Sequence, residues 1–240
     1  MIMKILLLSD IHGNFPALKA TINFFQDTSF DVICNCGDSL VYAPFPNETL
    51  HWLQEHNVLS ILGNTDRKVK KLLKGKTFTK PRKEEKRIMY TWTAEQLDSP
   101  ARSYLLSLKK SLSFSMHGHS ICLFHGSPEH PNEFLFPDTS HKRFLELAAS
   151  SPCSIIITGH SHTPFHTIAG STHFINPGSV GRMFDSNPAA SCAVLELGSK
   201  TIKVVHHRIN YPVKETVDAI QQHHLPAIYK SMYLLGQKLN

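Results

Sequence analysis

Met3 to Phe15 reads MKILLLSDIHGNF, and the order of residue types in this stretch decides the fold. Lys4 to Ser9 is a short, almost unbroken apolar run ending in a polar residue, the pattern of a strand covered on both faces. Asn14 is a good helix N-cap, Pro16 is tolerated in a first turn, and Phe15, Leu18, Ile22 and Phe25 recur at helical spacing. A strand therefore hands over to a helix that packs back on the sheet, with Asp10, His12 and Gly13 left in the turn between them.

The same grammar repeats outward. Strand signals recur at Asp31 to Asn35, Val58 to Leu62, Ile121 to His125 and Ser154 to Thr158, and a second helix is expected from about Pro46 to His56 with Leu50 and Leu53 inward. Alternating strands and helices specify an α/β class, in which chemistry sits at the carboxyl ends of the strands. Asp10, Asp38, Asn64, His125 and His160 all fall just after a strand.

From Asp66 to about Lys110 the pattern is helical, broken near Lys80-Pro81, with an amphipathic stretch from Thr93 through Leu97 to Leu108. It reads as an insertion at about 66–110 within a single domain, 1–240. After His162 the chain turns strand-rich at His173 to Asn176, Cys192 to Leu197 and Ile202 to His207, with the turn Leu197-Gly198-Ser199-Lys200 joining the last two, so a second sheet is expected. A helical pattern from Val213 to His223 precedes a tail without a clear period.

The 240 residues suffice for one substantial core, and 41% apolar with 18% charged residues excludes disordered and collagen-like classes. No apolar run reaches eighteen residues and no cleavage-site pattern precedes Asp10, so neither a membrane span nor a secretory leader is read, and a cytoplasmic protein is expected. Cys34, Cys36, Cys122, Cys153 and Cys192 lack paired zinc-site spacing and read as small buried hydrophobes in a reducing compartment.

Seven candidate metal ligands stand in short frames along the chain: Asp10-x-His12, Gly37-Asp38, Gly63-Asn64, His125-Gly126 and Gly159-His160-Ser161-His162. Their oxygen and imidazole donors suit divalent cations such as manganese, iron or zinc and leave no thiolate role. Taken singly, each has a plain structural reading: a histidine in an apolar strand is commonly a hydrogen-bonded core residue, and a lone aspartate a turn former or cap.

Taken together, Ser9-Asp10-Ile11-His12-Gly13-Asn14, Gly37-Asp38, Gly63-Asn64-Thr65-Asp66, His125-Gly126-Ser127-Pro128, Gly159-His160-Ser161-His162-Thr163 and Asn176-Pro177-Gly178-Ser179 resemble, in order, the motifs of calcineurin-like metallophosphoesterases, in particular the small bacterial and archaeal phosphodiesterase branch. The similarity runs from Lys4 to about Leu197. It implies a four-layer α-β-β-α sandwich of two mixed sheets with a helical insertion. It also implies that Asp10, His12 and His162 hold one metal, that Asn64, His125 and His160 hold the other, and that Asp38 bridges them. The cofactor expected is a pair of divalent ions, manganese first, with iron, zinc, nickel or cobalt as alternatives. Two such ions roughly 3.5 to 4 Å apart activate a bridging hydroxide and polarise phosphoryl oxygens, which makes the implied reaction hydrolysis of a small phosphorylated substrate such as a nucleotide.

The family pattern gives catalytic parts to Asp38, Asn64 and Asp66, and substrate contacts to Asn14, Thr65 and Arg182. One departure stands out. The family commonly places His directly after the Gly-Asn pair, where it protonates the departing oxygen; this chain has Thr65. A hydroxyl has no pKa near neutrality and cannot replace imidazole as general acid. The phosphodiesterase branch also often lacks that His, so diesters or anhydrides with acidic leaving groups are favoured over alkyl monoesters. A phosphomonoesterase or dinucleoside polyphosphate hydrolase is the alternative within enzymes, and a non-catalytic binding scaffold on the same fold the alternative outside them, although a scaffold would be expected to have lost ligands. His117, His119 and His130 read as solvated and are given no role.

Asn14 already has a structural task as N-cap, and Arg182, after a Pro-Gly turn, is either a phosphate clamp or an exposed arginine. Between Arg67 and Arg87 eleven Lys or Arg face only Glu84 and Glu85, while the chain as a whole carries +6, so this segment holds the entire positive surplus. Its plain reading is a solvated helix face, with Val69, Leu72 and Leu73 inward; its sharper reading is a device that concentrates anionic substrate at the site. Sparse aromatic interleaving argues against a nucleic-acid platform, and no membrane partner is expected. The oligomeric state is not legible.

Overall fold

A computed structural model describes residues 2–199 and 201–240; Lys200, in the turn expected between the last two strands, lies outside the described residues. Two five-stranded sheets carry the molecule. In the first the spatial order is β10 (Ile202–Ile209), β9 (Ala190–Leu197), β1 (Met3–Leu8), β2 (Val32–Asn35), β3 (Leu59–Ser60). In the second it is β4 (Ser111–Met116), β5 (His119–Phe124), β6 (Ile155–Ile157), β8 (Thr172–Asn176), β7 (Phe165–Ala169). Both are mixed: β1, β2 and β3 run parallel with β9 antiparallel beside β1, and β5, β6 and β8 run parallel between two antiparallel edges.

Strand periodicity distributes the core. Ile5 and Leu7 of β1 point one way, into a layer completed by Ile121, Leu123, Ile155, Ile157 and Ile175 of the second sheet. Leu6 and Leu8 point the other way, against Leu18 of α1 (Phe15–Phe24), Leu50 and Leu53 of α2 (Pro46–Glu55), and Ile220 and Tyr229 from the C-terminal helices. On the far face of the second sheet Cys122, Ile156 and Phe174 meet Phe144 and Leu147 of a single helix. The result is helices, sheet, sheet, helix: the α-β-β-α sandwich expected.

Helices α3 (Asn64–Leu73), α4 (Glu84–Gln96) and α5 (Ser99–Ser107) follow β3 and extend the first helical layer through Val69, Met89, Tyr90, Ala101 and Leu105. Helix α3 starts at Asn64, inside the ligand frame and not after it. Before the C-terminal tail, three elements had no clear signal in the sequence: β4, the helix α6 (His141–Ala149), and β7. Two further helices, α7 (Val213–Gln222) and α8 (Ile228–Leu235), close the chain, and α8 occupies the unassigned tail, stopped by Gly236 in the left-handed conformation at φ 60°.

Strand β3 is shorter than Val58 to Leu62 because, after Ile61 N–H donates to Asn35 of β2, the chain turns to Lys109, which pairs with Ile61 and accepts from Leu62 N–H. The cysteines also differ from expectation. Cys122 and Cys153 are joined in a disulfide with Cα atoms 5.8 Å apart, while Cys34, Cys36 and Cys192 are buried free thiols. The pairing arises because Cys153 leads into β6, which runs beside Cys122 on β5; a separation of 31 residues carried no motif to announce it. Among the described residues no helix is long and apolar enough to cross a membrane.

Candidate metal centre

Loops leaving five strands bring the candidate ligands to one place. Asp10 and His12 follow β1, Asp38 follows β2, Asn64 follows β3, His125 follows β5, and His160 and His162 follow β6. The carboxyl ends of both sheets thus contribute. Backbone bonds tie the loops to one another: Asp10 N–H donates to the Gly37 carbonyl at 2.9 Å, His12 N–H to Asp38 at 2.9 Å, and Gly159 N–H to His125 at 2.9 Å. Asp10, His12, Asp38, His160 and His162 all hold positive φ, between 52° and 66°. Left-handed backbone is uncommon for residues with a Cβ, and its concentration here marks a place where function overrides local preference. Two glycines serve the same crowding, since a Cβ at Gly63 would overlap the Asp38 carboxylate and one at Gly159 would overlap Ser9 and Asp10.

Two groups of ligand atoms result, Asp10 with His12 and His162, and Asp38 with His125 and His160, each with its atoms within 4.8 Å of one another. Asp38 reaches both: its Oδ2 is 3.9 Å from His12 Nε2 and its Oδ1 is 3.5 Å from His125 Nε2. Carbonyl oxygens behind three of the rings set the tautomers. His12 Nδ1 donates to Leu40 at 3.3 Å, His125 Nδ1 to Cys36 at 2.8 Å and His162 Nδ1 to Arg182 at 2.5 Å, which turns each Nε2 inward. Phe134 stacks on His160 and Phe184 on His162, fixing their planes.

This arrangement fits cations on its own geometry. The inward Nε2 atoms of His12 and His162, each with its proton on the opposite nitrogen, face one another at 3.2 Å. Beside them Asp10 Oδ2 accepts from Ser9 Oγ at 2.6 Å and from His160 N–H at 3.0 Å, whereas Asp10 Oδ1 is buried without any hydrogen-bond partner, 3.3 Å from His162 Nε2. In the second group one edge of the Asn64 amide lies 2.9 Å from His160 Nδ1, 3.1 Å from His125 Nε2 and 3.2 Å from Asp38 Oδ2. With its nitrogen inward the amide donates to His160 Nδ1 and Asp38 Oδ2; with its oxygen inward it accepts at 3.1 Å from a protonated His125 Nε2, and without that proton four acceptors converge on a place suited to a cation.

Electrostatics agree. Burial pushes His12 down to about 3 and His160 down to about 4, so both stay neutral and able to donate a lone pair. Burial opposes ionisation of Asp10, but His162 beside it holds the carboxyl at about 2, and Asp38 is likewise held well below its usual range by His125. Against burial, Asp38 lifts His125 to about 9. A divalent ion entering there must displace that proton.

A cavity of about 440 Å³ opens over the cluster. His12, Asp38, Asn64, Thr65, His160 and His162 line it, with Tyr42, Phe134, Phe136 and Phe184 and the cations Lys86, Arg182 and Lys238. Arg182 is not the exposed arginine of its alternative reading. It is 7% exposed, its guanidinium stacks 4.1 Å from the Tyr42 ring centroid and 5.1 Å from that of Phe184, and its Nε has no partner. Thr65 lines the cavity, but its hydroxyl donates to the Leu40 carbonyl at 3.1 Å and its N–H to Asp38 Oδ1 at 2.7 Å.

Two of the expected site residues stand apart from the cavity. Asn14 does not line the cavity: its Nδ2 donates to Gly181 at 2.9 Å and Tyr211 at 3.1 Å, and its Oδ1 accepts from Ala17 N–H and Thr216 Oγ1. The amide is fully engaged in the fold and has nothing left for substrate. Asp66 is wholly buried and accepts from the backbone N–H groups of Ser39, Leu40 and Gly63, so it positions the Asp38 loop and does not touch the reacting centre. Burial, with Asp38 nearby, raises its pKa to about 7. Residues without a signal in the sequence are the aromatic walls and Lys238, which belong to irregular or late segments without motif; Lys86 stands on α4, within the basic segment from Arg67 to Arg87.

Comparison with known proteins places these observations. Residues 3–200 match the model of the calcineurin-like phosphoesterase superfamily domain. The uncharacterized protein MJ0912 of Methanocaldococcus jannaschii is 28% identical over 97% of this chain and 98% of its own length. Phosphodiesterase YfcE of Escherichia coli is 26% identical over 78% of this chain and 85% of its own. The crystal structure of a metallophosphoesterase from Sphaerobacter thermophilus superposes with a TM-score of 0.80 at 24% identity, covering 98% of this chain and 99% of that one.

Proposed function

Because the chain belongs to the calcineurin-like phosphoesterase superfamily, we propose that it is a binuclear phosphoesterase that favours phosphodiesters of small phosphorylated molecules. The observation that carries this reading is Asp38, whose two carboxylate oxygens each come within 4 Å of a different histidine ligand set. Asp10, His12 and His162 would hold one cation, Asn64, His125 and His160 the other, and Asp38 both; we take manganese as the resident metal on the oxygen and imidazole donor set. Two such ions supply an activated water and Lewis-acid polarisation of a phosphoryl oxygen.

The protein's own residues decide the rest. Arg182, held in its aromatic cage with no carboxylate partner among the described residues, presents a fixed guanidinium to a phosphate oxygen from the cavity wall. Lys86 and Lys238 add charge without rigid geometry. We read residues 1–240 as one domain in which α3 to α5 form a basic cap beside the centre.

Among the described residues no imidazole stands free to protonate the leaving oxygen. All three imidazoles lining the cavity are ligand candidates, and the Thr65 hydroxyl spends its hydrogen on Leu40. Protonation then falls to solvent or to a weaker acid such as the Lys86 or Lys238 ammonium, which favours diesters and other substrates whose leaving group is acidic. The YfcE relative bears the name phosphodiesterase, in keeping with this preference. The test is to strip metals, restore manganese, nickel, cobalt, zinc or magnesium separately, and compare bis-p-nitrophenyl phosphate with p-nitrophenyl phosphate. Metal-dependent turnover with a diester preference is expected; no turnover with any metal, unchanged by Asp38→Ala, removes the enzyme reading in favour of a scaffold.

A further inference from the structure

A second and larger cavity, about 950 Å³, opens beside the metal cluster and shares Asn64 with it. Its lining carries eight Lys or Arg side chains and no carboxylate. Arg67, Lys70 and Lys71 of α3 and Lys74 at its C-cap stand at i, i+3, i+4 and i+7, a single stripe ~10 Å long at 1.5 Å rise per residue. Lys109 and Lys110 line the same groove from the segment joining α5 to β4.

The plain reading of this helix, lysines in solvent, holds for Lys71 and Lys74, which are exposed, but not for Arg67, Lys68 and Lys70, which are half-buried. Lys70 Nζ donates to the Leu106 carbonyl at 2.7 Å, and Arg67 donates to Asn132 Oδ1 at 2.6 Å and to the Gly63 carbonyl at 3.3 Å, so two of the cations are held in place by neutral acceptors. Among the described residues none of the eight forms a salt bridge; Arg143, Lys203, Arg208 and Lys214 account for the ion pairs of Lys and Arg. The whole chain carries +6, so without these eight its formal charge would be negative. Like charges gathered in a concavity repel one another and focus an attractive field on anions. A single phosphodiester over the metals does not need such a groove.

The groove lining also lacks any aromatic ring; its apolar members are Leu62 and Leu108. A surface for single-stranded nucleic acid would be expected to stack bases, and this one recognises charge alone. We propose that the groove binds a linear polyphosphate chain, continuing past Asn64 from the phosphate held at the metal cluster. This deepens the phosphoesterase reading and rests on it for the position of the reacting phosphate. Inorganic polyphosphate and the phosphate tail of a nucleotide share the recognised chemistry.

The test is calorimetric titration of the full chain at a fixed free manganese concentration, with orthophosphate, tripolyphosphate, a nucleoside 5′-tetraphosphate and a single-stranded oligodeoxynucleotide of matched charge. Lys71→Gln, Lys74→Gln, Lys109→Gln and Lys110→Gln are combined in one variant, since all four side chains are exposed and none touches the cluster. Tripolyphosphate is expected to bind the native chain about tenfold or more tighter than orthophosphate, with steep salt dependence, and the variant is expected to lose that preference. Turnover of bis-p-nitrophenyl phosphate, which makes no use of the groove, should stay within about twofold. Equal affinity for tripolyphosphate and the tetraphosphate assigns the inorganic chain as sufficient; a tighter tetraphosphate assigns a nucleotide tail. Unchanged tripolyphosphate affinity in the variant, or oligonucleotide binding as tight as that of tripolyphosphate, overturns the proposal. Absence of diester turnover in the native chain would instead strike the phosphoesterase reading and leave the binding result standing.

Discussion

Asp10 commits one carboxylate oxygen to Ser9 and to the His160 backbone and leaves the other buried and bare, and that division of labour within a single side chain recurs around the centre. Asp66 lies at the opposite extreme, with its carboxylate consumed by three backbone N–H groups. Asp66→Asn should therefore cost about 1 to 3 kcal/mol of stability in urea unfolding, because a buried acceptor becomes partly a donor facing donors; full stability with lost turnover would return Asp66 to the reacting centre. At Thr65 the expectation concerns the leaving group. Thr65→His should raise turnover of an alkyl monoester relative to bis-p-nitrophenyl phosphate, as an imidazole becomes available to protonate the departing oxygen. An unchanged ratio would mean that protonation is not what limits poor leaving groups. The ligand frames were legible in the sequence because metal chemistry admits few residue types and these occur at strand ends. For Asn14 and Asp66 the sequence leaves two roles open, because one residue type serves both for capping backbone and for binding substrate, and the partners each has in the fold favour the structural one.

At the scale of elements, each loop works because the strand behind it is rigid and the turn after it is strained. Helix α1 is anchored through Asn14 to Ala17, Gly181, Tyr211 and Thr216, joining the first turn to the 176–182 loop and to α7. Asn14→Ala should destabilise the fold by about 1 to 2 kcal/mol or somewhat more, with KM little changed; a large rise in KM at native stability would restore a substrate contact. Gly63→Ala should lower manganese affinity about tenfold or more by displacing Asp38, which equilibrium dialysis would measure. Elements with continuous apolar runs were legible: β1, β2, β5 and β6 fell within a residue or two of expectation. β4 was not, because SLSFSM alternates at a half-exposed sheet edge and presents no apolar run. β7 lies at the opposite edge of the same sheet and was missed as well. Helix α8 was missed although Tyr229, Met232 and Tyr233 are buried, since an eight-residue helix offers barely two turns of period. That helix helps to enclose Arg182, so part of the substrate wall was hidden with it.

Across the whole molecule the centre is a seam. Asp10, Asp38 and Asn64 come from the first sheet, and His125, His160 and His162 from the second, so ions held between them would clamp the two halves of the sandwich. Metal that binds the folded chain and not the unfolded one stabilises it by RT ln(1 + [L]/Kd), about 2.7 kcal/mol at a hundredfold excess over Kd. Chelation should accordingly lower the melting temperature, and manganese should restore it; an unchanged midpoint would show that the cluster holds no cation. The fold class and layer order were legible because both sheets announce themselves by apolar strands, whereas the basic groove was not, since its walls come from segments about forty residues apart that only packing brings together. On the proposed function Asp38 joins two metal sites in one chain. Metal content by inductively coupled plasma mass spectrometry after manganese loading tests it most directly, with turnover of bis-p-nitrophenyl phosphate followed in parallel. The native chain should hold about two ions and gain full turnover only with the second, and Asp38→Ala should lose both ions or the activity they support; full turnover with a single ion bound, unaffected by Asp38→Ala, would contradict the account.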